Sequence, residues 1–128
     1  MSGVSYGITL DTGALIALER RRSRVLQLMR AAALRKMPVT VPVAAIVEWW
    51  RGRTDVREAI LGAMLVEVMD AELARTAGEA LAAVRGATAV DAIVAASAAR
   101  RGDVILTSDV ADLTRLAVRF RSVRVLLV

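Results

Sequence analysis

Short apolar runs that alternate with helical stretches constrain this chain more than any other feature. Residues 6–10, 39–41, 66–69, 104–107 and 123–127 read as strands. Helical stretches lie between them, over 14–19, 23–35, 43–51, 54–64, 71–84, 89–101 and 110–117, with a break at Gly52. In the second of these, Val25, Leu28, Met29 and Ala32 share one face, as helical periodicity requires. Asp70 and Thr88 stand where helix caps are needed, and Gly102 where a helix must stop. Strands that are apolar throughout, separated by helices, predict an α/β protein: a parallel sheet covered by helices on both faces. No repeat, linker or low-complexity run interrupts the 128 residues, so one domain over 1–128 is expected. Sheets of this kind bind ligands beyond the carboxyl ends of their strands, where the strand order reverses.

Histidine and cysteine are both absent. That excludes Ser-His-Asp and Cys-His nucleophile systems, a histidine general base, His-ligated zinc and a disulfide framework. Any chemistry must rest on carboxylates, hydroxyls, arginines or a bound ion. No Gly-rich phosphate loop of either common kind is present. Hydrophobic residues make up 56% of the chain, enough for one buried core, yet the longest stretch without a charge, 37–47, is far too short to cross a bilayer. The opening residues lack a basic segment and a cleavage site after an apolar run, so no signal peptide, no membrane contact and a cytoplasmic location are expected.

Eighteen basic residues stand against thirteen acidic ones, and all but Lys36 are arginine. They gather at Arg20, Arg21, Arg22 and Arg24, at Arg51 and Arg53, and at Arg115, Arg119, Arg121 and Arg124. Guanidinium forks match phosphate geometry, so nucleic acid is an expected partner; a merely solvated basic surface is the plainer alternative. Aromatic residues are only 3%, which argues against base stacking and for contact with the backbone.

The acids are the informative residues. Asp11 directly follows the first strand. Asp109 follows the fourth, and Asp112 comes one helical turn later. In a doubly wound sheet with the first and fourth strands adjacent, these converge at the reversal point. Glu48 lies in Val43-Ala44-Ala45-Ile46-Val47-Glu48-Trp49-Trp50, and Asp91 in a similarly apolar helix. Helices apolar all round are usually buried, and a buried carboxylate needs a partner or a metal. Each aspartate also has a plain structural role open to it: Asp11 or Thr12 as a cap, Thr88 and Asp91 as a capping box, Asp109 as the N-cap before Asp112. Glu48 has no capping role open to it, only pairing with a distant arginine. An octahedral, water-rich Mg²⁺ or Mn²⁺ held by three or four oxygens accounts for all of them together.

These residues carry a resemblance to a known family. Ile8-Thr9-Leu10-Asp11-Thr12-Gly13-Ala14, Val41-Pro42-Val43-Ala44-Ala45-Ile46-Val47-Glu48, Val90-Asp91-Ala92-Ile93-Val94-Ala95-Ala96 and Leu106-Thr107-Ser108-Asp109-Val110-Ala111-Asp112 occur in order. The chain thereby resembles PIN-domain ribonucleases, and within them the VapC-like toxins of bacterial toxin–antitoxin modules. The resemblance implies a three-layer fold with a five-stranded parallel sheet in the order 3-2-1-4-5 and helices on both faces. It implies Mg²⁺- or Mn²⁺-dependent endonucleolytic cleavage of RNA, a homodimer, and an antitoxin whose tail covers the active-site groove.

On this reading Asp11 and Asp91 hold the principal ion, and Asp109 completes its shell with Asp112 or Glu48. Thr12 or Thr107 orients a water molecule, and Arg20, Arg21, Arg22 and Arg24 follow the RNA backbone. A non-catalytic module that binds RNA or protein is the alternative.

Overall fold

The computed structural model describes residues 6–120 and 123–128. Arg121, and residues 1–5 on which the signal-peptide expectation partly rests, lie outside them. The elements run β1 (Ile8–Leu10), α1 (Thr12–Glu19), α2 (Ser23–Leu34), β2 (Val39–Pro42), α3 (Val43–Trp49), α4 (Asp55–Gly62), β3 (Leu65–Glu67), α5 (Ala71–Ala83), α6 (Ala89–Arg101), β4 (Val104–Thr107), α7 (Val110–Ala117) and β5 (Arg124–Leu127). Every expected element is present.

The five strands pair in parallel in the order β3-β2-β1-β4-β5. Ile8 stands opposite Val39 on one side and Val104 on the other, and Leu10 opposite Leu106. The chain first moves outward from β1 to β2 and β3, then crosses to β4 and β5 on the far side of β1. Right-handed crossovers therefore put α1 to α4 on one face and α5 to α7 on the other. The contacts follow this division with one crossing: α1 meets α2, α3 and α4, and α6 meets α5 and α7, but α3 also meets α6. The order reverses between β1 and β4, so the turns that leave these two strands frame the crevice where a ligand is expected.

The core is built from both faces of the central strands. Leu10, Val41, Ile105 and Leu106 are buried, with Leu15 from α1, Val94 from α6, and Leu113 and Leu116 from α7. Within it sits a paired polar network that anchors α6. Asp103 accepts hydrogen bonds from the Gly7 N–H at 3.0 Å, the Thr9 hydroxyl at 2.8 Å and Arg101 Nε at 2.9 Å. Arg101 also donates to Thr9 Oγ1 and Ser97 Oγ and pairs with Glu67. Buried charges require such pairing. Gly102 ends α6 at φ 73°, a left-handed position that glycine takes without strain.

Two expectations need correction. The third strand is shifted: it covers Leu65–Glu67, and Val68 and Met69 are exposed beyond it. Glu67 pairs with Pro42, the last residue of β2, so no partner backbone remains further on. The helix around Glu48 is also not buried all round. Ala45 and Trp49 point inward, but Val47 is 77% exposed and Glu48 is exposed. A seven-residue helix is covered only on the side that meets its neighbours, whatever its composition. Among the described residues no helix is long and apolar enough to cross a membrane.

Candidate active site

Asp11, the first residue beyond β1, is 5% exposed. It caps α1, accepting the Ala14 N–H at 2.8 Å. Thr107, the last residue of β4, hydrogen-bonds to the same carboxylate through its hydroxyl. The Thr107 oxygen in turn accepts the Asp109 N–H at 2.8 Å. Burial pushes the Asp11 carboxyl up to about 6, against the downward pull of the Thr107 and Ala14 hydrogen bonds, and the charges of Asp91 and Asp109 add to the rise.

Asp91 lies in the first turn of α6 and is half-buried. Its N–H donates to Thr88 Oγ1 at 3.1 Å, the expected cap. Burial raises its carboxyl, a hydrogen bond with Thr88 lowers it, and repulsion from Asp112, Asp109 and Glu48 raises it further. Asp11 thus feels Asp91 and Asp109, and Asp91 feels the other three. The sheet topology brings all five acids singled out in the sequence into one field.

Their surroundings differ from the sequence reading in three respects. Thr12 does not cap α1; its hydroxyl donates to Glu48 Oε1 at 2.7 Å, holding an otherwise exposed carboxylate. Asp109 occupies the N-cap position of α7, but its side chain makes no cap hydrogen bond; its backbone leaves the usual cap conformation at φ −123°, ψ 81°, and its N–H donates to Thr107. Asp112 meets Arg115, a residue the sequence grouped with the basic surface rather than with the site: its Nη2 lies 2.6 Å from Asp112 Oδ1. The i,i+3 spacing of that pair was the visible signal.

The turns after β1 and β4 touch. A Cβ on Gly13 would lie 2.0 Å from Ser108 Oγ and 3.0 Å from Ser108 Cβ, so any larger residue requires the serine to move. Beside this contact opens a groove of about 490 Å³, lined by Gly13, Ile16, Arg20, Arg22, Arg24 and Ser108. Arg21 does not line it; its backbone is left-handed, at φ 55°. Arg24 is also tied to β5, donating from Nε to the Leu127 carbonyl at 2.7 Å. A second hollow, about 350 Å³, flanks α1 on the other side between Arg20, Glu48, Trp49 and Arg57. Trp49 is buried there, its Nε1 donating to Glu19 at 2.9 Å, and Arg57 pairs with the same Glu19 at 3.0 Å.

The donor set is all oxygen, which suits a hard dication. Among the described residues no three carboxylates stand close enough to hold one ion directly. Mg²⁺ keeps several of its waters and is usually bound by one or two carboxylates, so Asp11 and Asp91, with the other acids reached through water, fit it.

A family model, the PIN domain, matches residues 8–118. A search of curated proteins found no match. Solved structures match in fold. VapBC2 from Rickettsia felis, bound to a DNA fragment from its promoter, superimposes with a TM-score of 0.75 at 10% identity, over 94% of this chain and 98% of that one. DNA-bound VapBC from Salmonella typhimurium gives 0.73 at 14% identity, over 95% and 98%. FitAcB from Neisseria gonorrhoeae gives 0.60 at 19% identity, over 92% and 95%.

Proposed function

The chain belongs to the PIN-domain family, and from that premise we propose that it is a Mg²⁺- or Mn²⁺-dependent endoribonuclease, the toxin of a type II toxin–antitoxin pair. The single observation that carries the activity is the gathering of Asp11, Asp91, Asp109, Asp112 and Glu48 around the reversal point between β1 and β4, with Asp11 and Asp91 each raised in pKa partly by the others. A structural domain with ordinary helix caps gives no reason to concentrate five carboxylates in one crevice, with Arg115 on Asp112 the one ion pair made by any of them among the described residues.

A bound dication would activate a water molecule and neutralise charge on the scissile phosphate. Asp11 and Asp91 are the residues to hold it, with Asp109, Asp112 and Glu48 reached through water. Thr107 fixes the Asp11 carboxylate, and Thr12 fixes Glu48. Arg20, Arg22 and Arg24 receive phosphates along the groove that begins at Gly13 and Ser108. Attack by a metal-activated water, which needs no histidine, rather than by the 2′-hydroxyl would leave a 5′-phosphate and a 3′-hydroxyl.

The proposed partners are RNA as substrate, a cognate antitoxin over the groove and a second copy of the chain, with the cytoplasm as the place of action. VapBC and FitAcB, which share this fold, are the support for the antitoxin. One observation favours a non-catalytic RNA- or protein-binding module instead: the carboxylates do not close on one another directly.

Cleavage of host RNA by purified, antitoxin-free protein decides between them. The assay is run with Mn²⁺, with Mg²⁺ and with chelator, beside a folded Asp11→Asn/Asp91→Asn variant. Discrete metal-dependent cuts that vanish in the variant support the nuclease. Tight RNA binding without turnover under every condition supports the module.

A further inference from the structure

Arg115 is the one feature of the acidic crevice that the nuclease reading leaves unused. It projects from α7 across to the loop before α6. Nη1 donates to the Arg85 carbonyl at 2.6 Å, while Nη2 contacts Asp112 Oδ1 at 2.6 Å. The Asp112 side chain is only about one-third exposed and the Arg115 side chain about half. One guanidinium therefore joins the loop that leads to Asp91 to the helix that carries Asp112. The remaining acids of the crevice repel one another, and Asp112 is one of the charges that raise Asp91. Among the described residues, Arg115 is the cation paired directly with one of these five acids.

We propose that Arg115 is an internal counter-ion that competes with the dication for Asp112 and so sets the metal affinity of the site. This rests on the nuclease reading and adds a regulator to the same site. The competition is one of charge: Arg115 Nη2 at 2.6 Å from Oδ1 neutralises the Asp112 carboxylate, and a dication gains its full charge only when the guanidinium is displaced. The exchange is feasible because half-exposed ion pairs are weak. Arg115 keeps the Arg85 carbonyl as a partner when Asp112 turns to the ion, so release does not strand its charge. The effect on affinity is accordingly several-fold rather than many orders of magnitude.

Titration calorimetry of the metal-free protein with Mn²⁺ alone tests this without reference to turnover. Wild type, Arg115→Gln, Asp112→Asn and the double variant are compared, each first checked for an unchanged circular dichroism spectrum and cooperative melting. Arg115→Gln is expected to bind Mn²⁺ several-fold more tightly than wild type, and Arg115→Lys to fall between them. In the Asp112→Asn background the same change is expected to have little effect, because the competition acts through Asp112. Equal tightening in both backgrounds would reduce Arg115 to a general positive field and overturn the competition. Unchanged or weaker binding in Arg115→Gln would overturn it as well. If wild type binds no Mn²⁺ at all, the nuclease reading fails together with this inference; if wild type binds and the variants match it, only this inference fails.

Discussion

Gly13 and Ser108 lie so close that a single Cβ on residue 13 would overlap the serine hydroxyl, at 2.0 Å. The contact joins the turn that begins with Asp11 to the turn that ends with Asp109. Gly13→Ala must therefore turn the Ser108 hydroxyl away and displace the Ser108 backbone by a few tenths of an ångström. Overpacking of this kind costs typically about 1–3 kcal/mol. The expected result is a lower melting temperature together with a loss of Mn²⁺ affinity larger than that of an equally destabilising substitution in the core, such as Leu116→Ala. Equal losses of affinity in the two variants would show that the contact matters only for stability.

Thr107 serves two neighbours at once, the Asp11 carboxylate and the Asp109 N–H. Thr107→Val keeps the shape and removes both hydrogen bonds. Leaving buried polar groups unpaired costs about 1–3 kcal/mol. With the hydroxyl gone, the Asp11 carboxyl rises further, which NMR titration of the side-chain carboxyl would detect. Thr107→Ser restores the hydroxyl and is expected to restore the lower value.

The raised Asp11 carboxyl gives the metal-free protein a distinctive pH dependence. Its folded value is about 6 against 3.8 for the free side chain. Between these values the folded state holds a proton that the unfolded state does not, so stability rises as pH falls from about 6 toward 4. At 1.36 kcal/mol for each pH unit, the full gain is at most about 3 kcal/mol. Glu19 and Asp70, lowered by hydrogen bonds from Arg57 and Arg100, act in the opposite sense but only below their own unfolded values of 4.5 and 3.8. Melting in the presence of chelator should therefore show wild type more stable at pH 5 than at pH 7. Asp11→Asn should reduce that difference, with Asp91, also raised by burial, supplying a remainder of the same sign; a wild-type curve that falls between pH 7 and pH 5 would contradict the assignment.

Arg20, Arg22 and Arg24 line the groove and Arg21 does not. Phosphate contacts to single strands each contribute about 0.7 to the slope of log affinity against log salt. Neutralising the three groove arginines should reduce that slope by about 2 for a single-stranded RNA, whereas Arg21→Gln should leave it unchanged. Filter binding over a salt series, with Asp11→Asn/Asp91→Asn protein to prevent cleavage, measures both.

Much of this site was legible in the sequence because parallel sheets put their chemistry at strand ends. Asp11 after the first apolar run and Asp109 after the fourth needed only that rule and the strand order. Glu48 was legible as an odd acid in an apolar helix but not as an exposed one, since composition does not say which side of a seven-residue helix is covered. Pairings distant in sequence were out of reach. Nothing near Arg101 announces Thr9 or Glu67, and nothing near Gly13 announces Ser108. Arg115 was within reach from its spacing to Asp112, but arginines read as a class point outward to nucleic acid rather than inward to the site.

The central claim is that these acids hold a divalent ion, with Asp11 and Asp91 at its heart. The most direct measurement is anomalous scattering from crystals soaked in Mn²⁺. A peak between the Asp11 and Asp91 carboxylates that disappears in Asp11→Asn is the expected result. No peak in that crevice at millimolar Mn²⁺, or one held by other residues, would contradict it.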